Sequence, residues 1–224
     1  MPRRAAVLTA AVAAVCVAVS ACGSVQLGAA AITGGSRISS ATLTSEVANL
    51  NAAYQTDRVK KIPLQRPVGQ ETQQVLTWLI TFSIYDKLAE QHGINVTPAQ
   101  ADKQVASLSA TAGQNKVTVP EYVSAAGALP PDLLPQFGQY LAILSALEYR
   151  ITGGKSPSSQ AEQAKLAAAV GHDQCVASKS LGVSVNPQFG EFDYSSYSVV
   201  TAPPTLAANP TPSKAAAVQL TPPC

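Results

Sequence analysis

The stretch from Gln70 to His92 constrains the fold more than any other part of this 224-residue chain. Val75, Leu76, Leu79, Ile80, Ile84 and Leu88 recur at the helical period and draw one apolar stripe along it. Gly93 then supplies a left-handed stop. A stripe that long must be covered, so the sequence predicts a mainly α fold organised around this helix. Trp78 and Phe82 sit four apart on a neighbouring face. They either widen the buried surface or form an exposed binding strip, and burial is the simpler reading.

The flanking segments supply partners. Ala29 to Thr33 reads as a small apolar strand, Gly34-Gly35 as a turn, and Arg37-Ile38 as the return. Ser39 and Ser40 can cap a helix whose Leu43, Val47, Leu50 and Tyr54 share a face. Asp57 to Gly69 is a polar loop, and its Lys60, Lys61 and Arg66 read as a solvated face rather than a phospholipid contact. Thr97-Pro98 opens a helix carrying Ala101, Val105 and Leu108 that is expected to stop near Gly113. Val119-Pro120 opens a short helix with Tyr122 and Val123. After Pro130-Pro131 comes a longer one with Leu133, Leu134, Phe137, Leu141, Leu144 and Leu147. Gly153 to Ser159 is a break, and Gln160 to Lys179 is Ala-rich helix, weakened at Gly171. Val183 to Phe192 alternates as a strand, Tyr194 to Tyr197 turns, and Ser198 to Val200 returns. The remainder carries six prolines and little to bury, which reads as a disordered or polyproline tail.

The N-terminus states an address. Arg3 and Arg4 precede the uncharged apolar run Ala5 to Val19, which is too short to span a bilayer, a task needing about 20 residues. It reads as a secretory signal. Val19-Ser20-Ala21-Cys22 resembles a bacterial lipobox. That resemblance implies cleavage between Ala21 and Cys22, diacylglycerol on the Cys22 thiol, and a mature chain tethered to the extracytoplasmic face of the cell membrane. Two or three acyl chains make such an anchor stable where one would not. The domain reading is therefore 1–21 signal peptide, 22–28 tether, 29–200 folded helical domain and 201–224 tail. Removing residues 1–21 leaves 203 residues, and the 15 Lys and Arg lose Arg3 and Arg4 to balance 13 Asp and Glu. A neutral chain does not point to nucleic acid.

The order of elements, with Gly93-Ile94-Asn95-Val96-Thr97 leading to Ala101 and Asp102, resembles the N-terminal chaperone domain of the SurA/PrsA type. Val185 to Asp193, reading V-N-P-Q-F-G-E-F-D, is similar to the closing strand of actinobacterial SurA-like lipoproteins, with Gln188 where an arginine is common. The resemblance covers roughly residues 29 to 195. It implies a helical domain clipped by a small sheet from both chain ends, binding unfolded or maturing exported polypeptides. No stretch offers a parvulin domain with paired histidines, so prolyl isomerase activity is not expected.

Other chemistry finds little support. His92 sits where an imidazole favours a helix C-terminus. His172 and Cys175 are three apart, two ligands where a structural zinc needs four. Glu90, Glu121 and Glu148 fall on separate helices. The motifs of serine hydrolases, zincins and phosphate loops are missing from the sequence. No metal, nucleotide or other cofactor is expected. With Cys16 removed and Cys22 acylated, Cys175 and Cys224 remain, either as two thiols or as a disulfide pinning the tail to the last helix. The favoured function is a membrane-anchored, non-catalytic SurA-like chaperone, with Trp78, Tyr85 and Phe137 as client-binding candidates. The alternatives are an accessory envelope lipoprotein docking one dedicated partner, and a degenerate isomerase-family member.

Overall fold

A computed structural model describes residues 28–56, 59–65, 67 and 69–201. The segment expected to be a signal peptide, Cys22 with nearly all of the expected tether, Arg66, and the tail after Thr201 with Cys224 lie outside the described residues.

The folded part opens with a hairpin of β1 (Ala29–Thr33) and β2 (Ser36–Ser39). Gly34 and Gly35 join them with φ of +58° and +84°, a left-handed pair that glycine adopts without strain. On the other edge of β1 lies β3 (Ser184–Val185), also antiparallel, so one small sheet in the order β2-β1-β3 ties the two ends together. Between them, among the described residues, run seven α-helices: α1 (Ser40–Tyr54), α2 (Glu71–His92), α3 (Pro98–Ser107), α4 (Ser109–Gln114), α5 (Val119–Gly127), α6 (Leu134–Thr152) and α7 (Gln160–Leu181). A second sheet, β4 (Glu191–Asp193) with β5 (Ser198–Val200), closes the chain as an antiparallel hairpin.

The caps explain most boundaries. Ser39 accepts from Thr42 N at the head of α1. Thr97, Thr118 and Ser159 each head a helix with a reciprocal capping box, to Gln100, Glu121 and Glu162 respectively, which satisfies two orphan donors apiece. Gly93, Gly153 and Gly182 terminate α2, α6 and α7 in the left-handed region.

Helix α2 is the axis of the domain and touches α1, α6, α7, β1 and β5. Its Val75, Leu76, Ile80, Ile84 and Leu88 are sealed from water, together with Leu43 and Leu50 of α1 and Ile143 and Leu147 of α6. A second, smaller cluster gathers Phe82, Val123, Leu129 and Leu133.

Four local expectations need correction. Helix α3 does not continue to Gly113: it breaks at Leu108, and α4 restarts at Ser109. Helix α7 is continuous through Gly171, because the turns on either side supply the backbone bonds and Tyr197 Oη donates to the Gly171 carbonyl. The stretch Val183 to Phe192 is not one strand. Pro187 cannot donate to a ladder, Asn186 Oδ1 accepts from Gln188 N, and the resulting turn separates β3 from β4. In α6 the most buried positions are Gly138, Ala142, Ile143 and Leu147, while Leu134, Phe137, Leu141 and Leu144 are half-buried. At Gly138 the helix crosses α3 closely: a Cβ there would lie 2.8 Å from Ala101 O and 2.9 Å from Val105 Cγ2.

Candidate functional site

Over its N-terminal half, α2 with its cap residue presents Gln70, Gln73, Gln74, Thr77, Trp78 and Thr81, spaced i, i+3, i+4, i+7, i+8 and i+11. These side chains form one wall of a cleft of about 660 Å³. The β4–β5 hairpin supplies the facing wall with Ser196 to Thr201, and Tyr140 of α6, Gln174 of α7, Gly127 and Pro67 complete it. Every lining residue among those described is uncharged.

The hairpin is held by specific bonds. Asp193 accepts from Ser195 N at 2.8 Å and from the hydroxyls of Ser195 and Ser196, forming the turn that leads into β5. Those bonds hold the Asp193 carboxyl below its usual range. Gly190 has φ of +128° and no room for a side chain, since a Cβ would run into the Val200 carbonyl. Val199 N donates to Thr77 Oγ1 at 2.8 Å, and Thr77 in turn donates to the Gln73 carbonyl. The backbone of β5 is thereby fastened to α2.

The floor is aromatic. Trp78 Nε1 donates to the Gly127 carbonyl at 2.8 Å, which fixes the indole. Its ring packs on Phe82 at 5.8 Å, edge-on to Phe137 at 5.3 Å and to Tyr140 at 5.9 Å, spacings at which aromatic pairs attract beyond their burial. Burial raises the Tyr140 hydroxyl above its ordinary pKa. Gln74 Nε2 donates to the Pro67 carbonyl at 3.0 Å, and among the described residues no donor reaches its buried Oε1. A buried amide oxygen without a donor is an unfilled acceptor beside the cleft, of a kind that costs about 1–3 kcal/mol when left unmade.

The three client-binding candidates separate. Trp78 lines the cleft, and Phe137 supports it from behind. Tyr85 is only 4 % exposed: its ring meets Tyr140 edge-on at 4.5 Å and belongs to the core, not to the surface. Burial, with Tyr140 close by, pushes its hydroxyl pKa up.

Of the residues weighed for other chemistry, His92, Glu90 and Glu121 have structural partners. His92, at the end of α2, places Nε2 3.3 Å from Asp173 of α7, and Arg150 of α6 donates to the His92 carbonyl. His172 is exposed, whereas Cys175 is buried. Glu90 pairs with Lys87 at 2.7 Å, and Glu121 closes the cap of α5. Among the described residues no three His, Cys, Asp or Glu side chains gather to hold a metal ion. Cys175 is disulfide-bonded, and its partner sulfur lies outside the described residues. Among the described residues no helix is long and apolar enough to cross a membrane.

Sequence reasoning missed the cleft. The signal was present in Gln70-x-x-Gln73-Gln74-x-x-Thr77-Trp78-x-x-Thr81, an amide and hydroxyl stripe at the same period as the apolar one. Its opposite wall comes from a hairpin more than a hundred residues away, which periodicity does not reveal. No protein-family model matches the chain, and no curated protein or solved structure matches it either.

Proposed function

We propose that this protein is a lipid-anchored, extracytoplasmic binding protein of SurA-like design that holds extended segments of exported polypeptides without catalysing a reaction on them. The observation that carries this reading is the stripe of amides and hydroxyls beside Trp78 in an uncharged cleft. An extended peptide offers alternating N–H donors and C=O acceptors. A glutamine amide can answer both, and an aromatic floor accepts apolar side chains of many shapes. A wall without charge selects no particular charge in its client. These properties favour a sequence-tolerant site over one built for a single ionic ligand.

Acylation at Cys22 and cleavage after Ala21 are part of the proposal. The tether from Cys22 to Gly28 would then hold β1 within about 25 Å of the membrane at full extension. We also propose that Cys224 is the partner of Cys175. In the chain-entropy model a loop of that size contributes on the order of 4 kcal/mol.

The test is suppression of aggregation by the chain from Gly23 to Cys224, with several unrelated unfolded proteins at near-stoichiometric ratios. Protection across clients, weakened by Gln73→Ala, is the expected result. A folded chain that protects none would end the general chaperone reading and point to one dedicated envelope partner. Turnover of an X-Pro peptide by the same chain would overturn the absence of catalysis.

A further inference from the structure

The chain leaves the described residues at Thr201, and Thr201 itself lines the cleft. The remaining segment, Ala202 to Cys224, carries six prolines and a single charged side chain, Lys214. A nearly uncharged, proline-rich segment therefore starts at the mouth of an uncharged cleft with Trp78, Tyr140 and Tyr197 in its lining. Aromatic-lined grooves are the recognised hosts of such segments, because a polyproline-like chain loses little entropy on docking.

A disulfide-bonded cysteine adjoins the cleft wall in sequence. Cys175 directly succeeds Gln174 of that wall, and the other cysteines of the chain are Cys16, Cys22 and Cys224. On the opposite rim, Tyr197 is bonded to Gly171, one turn earlier on α7. A tail fastened at Thr201 and again at Cys175 would begin and end on one cleft. Its length is ample: 23 residues in polyproline conformation reach about 70 Å, several times the width of the site.

We propose that residues 202–223 are the resident occupant of this cleft and compete there with outside polypeptides. The inference rests on the reading of the cleft as a polypeptide site and adds its regulation. Non-proline residues of the tail supply backbone N–H groups, for which Gln74 Oε1 is an acceptor without a donor among the described residues. Attachment at the rim gives the tail an effective concentration in the millimolar range. A tail whose intrinsic dissociation constant is about 0.1 mM then fills the cleft about nine-tenths of the time and weakens client binding about tenfold.

Trp78 is the sole tryptophan of the chain, so its emission reports on the cleft directly. The experiment compares the full chain with a version in which residues 202–223 are replaced by Gly and Ser at the same length, Cys224 being retained. In the full chain, backbone order parameters for residues 203–213 are expected near the rigid value of about 0.85. In the Gly-Ser version, acrylamide should quench Trp78 more strongly, a synthetic peptide of residues 202–223 should reverse this saturably, and client affinity should rise about tenfold. Order parameters below about 0.6 throughout the native tail, with Trp78 equally accessible in both chains, would overturn the proposal. Clients that bind both chains equally would also overturn it while leaving the peptide-binding reading intact. Saturable binding of the tail peptide with no client bound by either chain would support it and end the chaperone reading instead.

Discussion

Along α2, Val75, Leu76, Ile80, Ile84 and Leu88 are closed to water, whereas Gln73, Gln74, Thr77 and Trp78, all in its N-terminal half, face a cleft. Both stripes obey the same period, and both belong to one helix. The difference lies in what their partners need. The apolar stripe is satisfied by any well-packed hydrocarbon surface, and α1 and α6 provide it. The amide stripe is satisfied only by directional donors and acceptors, and the chain supplies some of these: Val199 N reaches Thr77 and Pro67 O takes Gln74 Nε2, while Gln74 Oε1 is left over among the described residues. A folded chain completes its apolar contacts before its polar ones, so the incomplete face is the one that can still engage something else.

Substitutions on the two faces should separate stability from binding. Ile80→Ala, at a position with no exposure, is expected to destabilise the fold by about 2–5 kcal/mol, read from urea midpoints. Client affinity per folded molecule should stay unchanged. If binding fell in proportion to stability, the two faces would not be independent.

Gly138→Ala is expected to destabilise by about 1–3 kcal/mol, because its new methyl meets the α3 backbone at Ala101 as well as the Val105 side chain. A neutral result would show that α3 can retreat from α6 at little cost. Gln73→Ala should leave stability within about 0.5 kcal/mol and lower client affinity roughly two- to tenfold, the equivalent of one net hydrogen bond. Equal affinity before and after would remove the amide stripe from the site.

The smallest effect concerns pH. Asp193 and Glu162 have folded pKa values lowered from 3.8 and 4.5, through their serine bonds in the hairpin turn and at the head of α7. Each stabilises the fold above its unfolded value, and the contribution is lost as pH falls through the lower folded value. Burial raises Glu46 and Asp86, so these act in the opposite sense and gain on protonation. The stability gap between wild type and Asp193→Asn should therefore be constant above about pH 4 and shrink below it. A gap that widened in acid would mean the carboxylate is not what holds the turn.

Helix positions are readable where the signals are local. Ser39, Thr97-Pro98 and Gly93 mark their boundaries, and the apolar residues of α2 name the core correctly. Reading fails where a distant element decides. Gly138 is among the most buried positions of α6 because α3 approaches there too closely for a side chain, which the period of α6 alone does not reveal. Gly171 looks like a helix breaker in isolation but lies inside an intact helix whose carbonyl receives Tyr197. The alternation from Val183 to Phe192 hides a turn because Val185 and Phe189 keep the apolar rhythm across it. Tyr85 looks available because one helix cannot say which of its faces a later aromatic, Tyr140, will cover.

The pairing of β1 with β3 has a consequence in time. Ala31 and Val185 are partners, so this ladder cannot form until nearly the whole folded segment has been synthesised. Helices and the β1–β2 hairpin draw on near neighbours and can form on microsecond scales, whereas joining distant strands must first overcome the entropy of closing a long loop. Until then one edge of β1 has unpaired backbone groups and invites other strands, and β2 guards only the opposite edge. The arrival of a two-residue strand is thus a late step of folding, and substitutions at Ser184 or Val185 should slow completion more than they slow collapse.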